Sequence, residues 1–282
     1  MSNATQYKSN SQVKWKVPPE KRIGLLDADG ILYAAAAKGQ VDLDGEIVQL
    51  LDGEAIYQDA LDRAAHWASW LGDEVGQLFL VLSARDNFRY RILPSYKGNR
   101  KGSDRPVALD RLRARFLEEE GSHPGGFTVM LIDGLEADDV CGIASTTFQE
   151  RGYEAVIISP DKDLLTIPGM VLTPKARGVV FSELTPERAA GYHLYQTMVG
   201  DTTDNYKGIP GVGPKKAAEL LDTFEDPKER WEAMVALAAE KGLTEEDLLV
   251  QARVARILRN VDWDATLKAP ILWDPKKQEN GE

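Results

Sequence analysis

The sequence is poor in sulfur and imidazole: its 282 residues include one cysteine and three histidines. A lone thiol permits no internal disulfide, and Cys141 falls in an apolar helical pattern that marks it as core filler rather than a nucleophile. His66, His123 and His193 lie far apart without metal-ligand spacing, so each reads as structural or exposed. No apolar run approaches the roughly 20 residues needed to cross a bilayer, and the polar start, residues 1–11, lacks a signal-peptide core. The expectation is a soluble cytoplasmic protein without membrane partners. At 43% hydrophobic, the chain is long enough for one sizeable core and a smaller appended module. It shows no internal repeat.

Basic residues are also in deficit, with 34 Lys and Arg against 45 Asp and Glu and a formal charge of −11. That excludes a uniformly basic nucleic-acid binder. The charge is nevertheless segregated: residues 85–115 hold ten basic side chains against three acids, a local +7 that leaves −18 for the remainder. Phe88, Tyr90 and Tyr96 are interleaved with those cations, a mixture suited to a phosphate backbone with stacked bases. A solvated basic helix is the ordinary alternative.

Residues 1–22 read as a polar, poorly ordered arm. Four apolar runs, 23–26, 78–82, 127–132 and 155–158, have the length and composition of buried strands. Helical periodicity over 55–71, 109–120 and 137–150 separates them, which predicts an α/β fold with a mainly parallel sheet flanked by helices. A hairpin is expected over 169–181, turning at 175–178. From Pro186 the pattern is helical almost to Pro270, and 271–282 reads as a disordered tail.

In such a sheet ligands bind beyond the carboxyl ends of the strands, and the acids gather there. Asp27 and Asp29 end the first strand, Glu136, Asp138 and Asp139 follow the third, Asp161 and Asp163 follow the fourth, and Asp201 and Asp204 precede a glycine-rich run. Nine such carboxylates would repel one another, and neutralising them would bring the chain from −11 to −2. Oxygen-only ligands favour hard divalent ions, Mg²⁺ or Mn²⁺, and a pair of ions ~4 Å apart suits phosphodiester cleavage. Each cluster alone has an ordinary reading: an acidic first helical turn at 136–139, or a post-strand loop at 159–163.

The run 200–217 is the most specific. Asp201 and Asp204 stand at the spacing of one helical turn before Gly208-Ile209-Pro210-Gly211-Val212-Gly213, where glycines let the backbone approach phosphate closely. Lys215 and Lys216 add charge without base reading, which implies sequence-independent binding. A Gly/Pro turn between ordinary helices is the plain alternative.

Taken in order, Leu25-Leu26-Asp27-Ala28-Asp29, Phe88-Arg89-Tyr90 through Tyr96-Lys97-Gly98-Asn99-Arg100, Gly134-Leu135-Glu136-Ala137-Asp138-Asp139, Ser159-Pro160-Asp161-Lys162-Asp163 and the run just described resemble the flap endonuclease and 5′-to-3′ exonuclease superfamily. The resemblance is to standalone bacteriophage 5′ nucleases and to the 5′-nuclease domain of bacterial DNA polymerase I. It spans about residues 23–221.

The resemblance implies a PIN-like core over 23–195 with a basic arch at about 85–120, and a helix-three-turn-helix and helical module over 196–270. Asp27, Glu136 and Asp138 resemble ligands of a first metal, and Asp161, Asp163, Asp201 and Asp204 those of a second, with Asp139 between them or just behind. Lys97 and Arg100 resemble basic groups that steer and polarise the scissile phosphate, beside a DNA-binding set of Arg89, Tyr96 and Lys101. Tyr96 would stack on a base. Gly208, Gly211, Gly213, Lys215 and Lys216 correspond to a clasp on duplex backbone, with K⁺ held by main-chain carbonyls.

The implied partners are DNA 5′ ends, flaps and junctions, and RNA:DNA hybrid, with location in the host cytoplasm for a phage-encoded chain. One departure stands out: Leu82-Ser83-Ala84 occupies the place where the family usually carries an aspartate, leaving Asp29 or Asp86 to substitute or a weaker first metal site. Two other readings remain, a PIN-type ribonuclease and a catalytically silent DNA-binding protein. The duplex clasp argues against the first and the retained acids against the second.

Overall fold

The computed structural model describes residues 15–72, 75–100, 105–118, 123–176 and 178–276. Four apolar runs become parallel strands because helices cover both sheet faces, so every strand position can be aliphatic. These are β1 (Arg22–Asp27) and, numbering in chain order around the intervening elements, β4 (Gln77–Val81), β5 (Phe127–Met130) and β6 (Glu154–Ile158). With β7 (Gly169–Pro174) and β8 (Val179–Leu184) they form a six-stranded sheet in the order β5-β4-β1-β6-β7-β8. Within this sheet, among the described residues, β7 and β8 alone pair antiparallel, as the expected hairpin.

Strand order reverses at β1, which has β4 on one side and β6 on the other. The carboxyl ends of these strands therefore diverge at a crevice. On one face α1 (Asp29–Ala37), α2 (Gly53–Ala68) and α4 (Leu109–Glu118) close a core around Leu26, Leu80, Val156 and Ile158. On the other, α5 (Ala137–Glu150) packs Val140, Cys141 and Ala144 against Leu25, Val81 and Ile157. Burying such side chains contributes about 1.5–3 kcal/mol each, so the paired cores hold the strand ends in place.

The short helix α3 (Arg89–Ile92) leads into the basic loop. A separate core around Met198, Leu221, Met234 and Leu248 joins α6 (Pro186–Val199), α7 (Pro214–Thr223), α8 (Pro227–Ala239) and α9 (Glu245–Ala255). No described helix is long and apolar enough to cross a membrane.

Three sequence expectations need correction. The helical pattern does not run to Pro270: α9 ends at Ala255, and tertiary bonds then win over propensity. Leu258 N–H donates to Asp139 at 3.1 Å, Asn260 N–H to Thr146 at 2.9 Å, and Arg256 binds Asp262 at 2.9 Å, laying this segment across α5. Its backbone comes so close at Leu258 that any side chain at Gly142 would strike it. Two short strands follow, β9 (Trp263–Asp264) and β10 (Ala269–Pro270).

The tail beyond 270 is not wholly loose either, since Trp273 is buried against Trp231 and His193. Part of the leading arm is likewise engaged: Trp15 stacks under Arg22, and Lys16 pairs with Glu183. Residues 1–14 and 277–282 lie outside the described set.

The unanticipated hairpin of β2 (Gln40–Leu43) and β3 (Glu46–Gln49) turns at Asp44-Gly45, both at positive φ. That dipeptide between alternating apolar residues was its available sequence signal.

Candidate active site

Asp27, Asp29, Glu136, Asp138, Asp161 and Asp204, from four separate segments, line one open cleft of ≈ 700 Å³ at the strand ends. Ser83, Tyr90, Tyr96, Lys97 and Arg100 complete its walls. Each acid arrives by a different local device. Asp27 ends β1, with its carboxylate receiving Ser159 Oγ at 2.8 Å. Glu136 and Asp138 sit at the start of α5, whose first turn is anchored when Ala137 N–H donates to Ser83 Oγ at 2.8 Å. Asp161 precedes a 3-10 turn over 162–166 and accepts the Asp163 N–H at 2.8 Å.

Asp204 comes from the helical half through a strap between two motifs about a hundred residues apart. Lys97 N–H donates to Asp204 O at 2.9 Å, Asn99 Nδ2 to Thr202 O at 2.6 Å, and Asn205 Nδ2 to Ser95 O at 2.6 Å. Arg100 Nη2 binds the Asp204 carboxylate at 2.7 Å. Lys97 and Asn205 adopt positive φ to make this fit.

Asp201 and Asp204 therefore lie in a turn rather than on a helix. An Asp201–Tyr206 bridge closes it, while Gly200 and Gly208, both at positive φ, pack backbone to backbone where any Cβ would collide.

The site's electrostatics divide its acids into two kinds. Burial, followed by repulsion from Asp29, raises the Asp27 carboxyl from 3.8 to about 7. Burial, then Asp27 and Asp161, drives Asp138 well above the carboxylate range. Burial and Asp161 lift Asp163 to about 7, although Gln196 Nε2 donates to it at 2.5 Å.

Glu136 behaves oppositely. Burial alone would raise it, but Lys97 and Arg89 outweigh that and hold it below the usual range, helped by the Tyr96 hydroxyl at 2.9 Å. Lys97 Nζ pairs with Glu136 and stands 3.8 Å from Asp204. Among the described residues no three acids already converge in a cation-holding arrangement. The donor set nevertheless fits a hard cation: it is all oxygen, and Asp27 and Asp138 repel each other with only Lys97 to offset part of that repulsion at Asp138.

Several expected residues sit elsewhere. Asp139 is fully buried, with both oxygens taken by Arg89 at 2.6 and 2.8 Å, and does not line the cleft, which leaves it just behind the other acids. Arg89, at 1% exposure, also donates to Val254 O and Arg256 O and has no surface to offer DNA. Tyr96 cannot stack on a base: its ring packs with Tyr206 and Val254, and its hydroxyl lies 2.9 Å from Glu136 and 2.8 Å from Asp204. Tyr90, 42% exposed on the cleft wall, is the available aromatic.

Asp201 is buried and held below its ordinary value. Burial opposes that shift, but Lys162 at 2.8 Å and the Thr203 amide at 2.7 Å overcome it. Asp163 and Asp201 do not line the cleft. Gly208 is buried, whereas Gly211, Gly213, Lys215 and Lys216 are exposed at the entrance to α7. Gly211 uses positive φ, but Gly213, at φ −96°, does not. Lys101 lies outside the described residues.

A carboxylate does stand beside Ser83, where the family usually carries its aspartate. Ser83 N–H donates to Asp29 at 3.2 Å, and Arg113 Nη1 pairs with the same carboxylate at 2.6 Å. Asp86 accepts from Asn87 N–H and is not on the cleft. Ser159, Gln196 and Arg113 were not anticipated. Only Ser159, directly ahead of Pro160-Asp161, carried a sequence cue. The histidines and cysteine behave as expected: His123 and His193 are buried and bonded, His66 is exposed, and Cys141 is in the core.

An acid-lined crevice at a sheet's switch point, walled by lysine and arginine, defines a class of hydrolase acting on phosphodiesters. Comparison with known proteins makes this particular. Residues 64–177 match the 5′-3′ exonuclease N-terminal resolvase-like domain, and 187–278 match the 5′-3′ exonuclease C-terminal SAM fold. The exonuclease of Escherichia phage T7 is 30% identical over 302 residues, covering 91% of this chain and 94% of that protein. The exodeoxyribonuclease of Enterobacteria phage T3 is 29% identical over 303 residues, with the same shares.

The bacteriophage T5 flap endonuclease, solved as a pseudo-enzyme-product complex with DNA and metal ions, superposes with a TM-score of 0.62. It is 16% identical, over 83% of this chain and 88% of that one, and shows likeness of fold. The chain belongs to the 5′-3′ exonuclease family, hydrolases of DNA phosphodiester bonds near 5′ ends.

Proposed function

We propose that the cleft cuts DNA at 5′ ends, flaps and duplex junctions, leaving 5′-phosphate products, in replication, primer removal or repair. One observation carries this reading: Asp27, Glu136, Asp138, Asp161 and Asp204 meet in one cleft beside Lys97 and Arg100. Asp27, Glu136, Asp138 and Asp161, with Asp29 adding charge near Ser83, would hold Mg²⁺ or Mn²⁺, and Asp204 and Asp163 flank them. Such ions, when bound, activate water and stabilise the leaving oxygen.

The chain's own groups do the rest. Arg100, half exposed, draws a phosphate to the rim, and Lys97 holds its ammonium between Glu136 and Asp204, where an incoming phosphate can take it over. Tyr96 fixes both carboxylates from behind. Exposed Gly211, Gly213, Lys215 and Lys216 suit a sequence-independent grip on duplex backbone in a helix-three-turn-helix that holds K⁺, and the sheet half has a PIN-like form. Incubating the protein with 5′-flap DNA, blunt duplex, RNA:DNA hybrid and single-stranded RNA, in Mg²⁺ or EDTA, tests this. Metal-dependent cleavage confined to RNA single strands, or none at all, would overturn it.

Lys97→Ala is expected to slow single-turnover cleavage roughly 10²-fold at saturating DNA, where a defect of attraction alone is masked. An unchanged rate would reduce Lys97 to a structural partner of Glu136 and Asp204.

Metal binding should also be written in stability. Asp27 and Asp163 rise from 3.8 to about 7 on folding, so between those values the folded protein keeps protons that the unfolded chain has released. Their contribution to stability is full below pH 3.8 and lost as pH rises through about 7. A divalent ion competes with those protons, so the Tm gain from Mg²⁺ should be larger at pH 8 than at pH 5.5. Thermal melts in EDTA and Mg²⁺ check this, and a gain independent of pH would count against Asp27 as a ligand and against Asp163 as a close neighbour of the ions.

A further inference from the structure

Beside the carboxylate cleft lies a second cavity, of ≈ 490 Å³, walled by α1, α4 and the loop after β4. It shares Asp29 and Ser83 with the cleft, which makes the two contiguous. Its chemistry is different. Arg85, Arg105 and Arg113 line it together with Tyr33, against the acids Asp29 and Asp110.

Those two acids are already engaged. Arg113 is held by Asp29 at 2.6 Å and by Ser83 O at 2.5 Å, which fixes its guanidinium in the shared wall. Arg105 binds Asp110 at 2.8 Å with both side chains more than half exposed, an arrangement that resists a competing anion only weakly. Arg85 is exposed and makes no hydrogen bond or ion pair among the described residues. One guanidinium in this cavity is thus uncompensated, and a second is easily redirected.

The geometry points to a subsite for the terminal 5′-phosphate of the strand being cut, formed by Arg85 and Arg105 and backed by Arg113. The inference rests on the nuclease reading of the neighbouring cleft. Lys97, Arg100 and Asp204 form one flank of that cleft, bonded to the helical half that would grip duplex. A strand crossing the acids from there continues onto the Asp29–Ser83 flank and into the arginine cavity, whose volume suits a single nucleotide.

A terminal phosphate carries about −1.5 to −2 charge at pH 7, more than an internal diester, and presents oxygens that guanidinium forks bind in pairs. A 5′-hydroxyl end offers neither feature. The cavity should therefore distinguish the two ends as well as steer.

The test compares two blunt duplexes identical except for a 5′-phosphate or a 5′-hydroxyl, with binding measured in Ca²⁺ for the intact protein and for Arg85→Ala and Arg105→Ala. Arg85 is exposed and unbonded among the described residues, so its replacement should leave the fold unchanged, as circular dichroism would verify. The wild type is expected to bind the phosphorylated end about tenfold tighter, the scale of one charge-assisted hydrogen bond. In Arg85→Ala that ratio should fall to about one with the 5′-hydroxyl affinity retained, and Arg105→Ala should lower it part of the way. No preference in the wild type, or equal weakening for both ends in Arg85→Ala, would overturn the subsite. Failure of the nuclease reading would appear separately, as no turnover of either duplex in Mg²⁺, while the Ca²⁺ ratio still judges the subsite.

Discussion

Asp138→Asn is expected to lower DNA cleavage by roughly 10³-fold while leaving duplex binding intact or tighter. Asp138 lines the cleft from the first turn of α5, and its carboxyl is pushed well above the carboxylate range there. Burial first, then Asp27, Asp161 and Glu136, disfavour its ionised form, and Lys97 only partly offsets them. On the function proposed above, a carboxylate so placed would serve a bound cation. Asparagine keeps its shape and removes its charge, so the repulsion among these acids should fall and the metal-free protein should melt at a higher temperature than the wild type. The two readouts together exclude simple misfolding. Turnover near the wild-type level would remove Asp138 from the chemistry.

Arg89→Met should act on stability instead, costing about 3–5 kcal/mol in denaturant unfolding, because Asp139 would be left charged and unpaired in the interior. Arg89 joins four places at once: Asp139 on α5, Glu136 beside it at 3.5 Å, and the carbonyls of Val254 and Arg256 at the end of α9. Arg89→Lys should rescue little, since an ammonium cannot fork onto both Asp139 oxygens while reaching two carbonyls. Replacing both partners, as Arg89→Met with Asp139→Leu, should recover much of the loss. A cost below about 1 kcal/mol for Arg89→Met would show that the pair is not the clamp its geometry suggests.

This pair also shows what the sequence could and could not disclose. Strand-end acids such as Asp27 and Asp161 were legible because an aliphatic run followed by a carboxylate fixes both the strand and the end at which the acid emerges. The side a helical residue takes against a distant partner was not. Arg89 looked like one more cation in a basic run, and Asp139 like one more acid beside Glu136 and Asp138, yet fifty residues of intervening chain fold so that each neutralises the other. Tyr96 misled in the same way, since an aromatic among cations suggests stacking until Tyr206 and Val254 are seen to enclose its ring.

The end of α9 was overrun because nothing between Arg256 and Asp262 breaks a helix by itself. Bonds to α5 do that, and they are long-range facts. The turn at 200–208 was placed correctly but given the wrong form, since the spacing of Asp201 and Asp204 serves a bridged loop as well as a helix.

The strap of Ser95, Lys97, Asn99 and Arg100 onto residues 202–205 has a bearing on how such chains can be recombined. Asp204 belongs by sequence to one half and by position to the other, and these four residues of the basic loop hold it there like a latch on the neighbouring panel. A chimera joining the sheet half of this chain to the helical half of a relative would bring together a loop and a turn that had never been fitted to each other. Its misfit would fall directly on a cleft carboxylate rather than on a neutral hinge, so the two short segments should be exchanged together although about a hundred residues separate them.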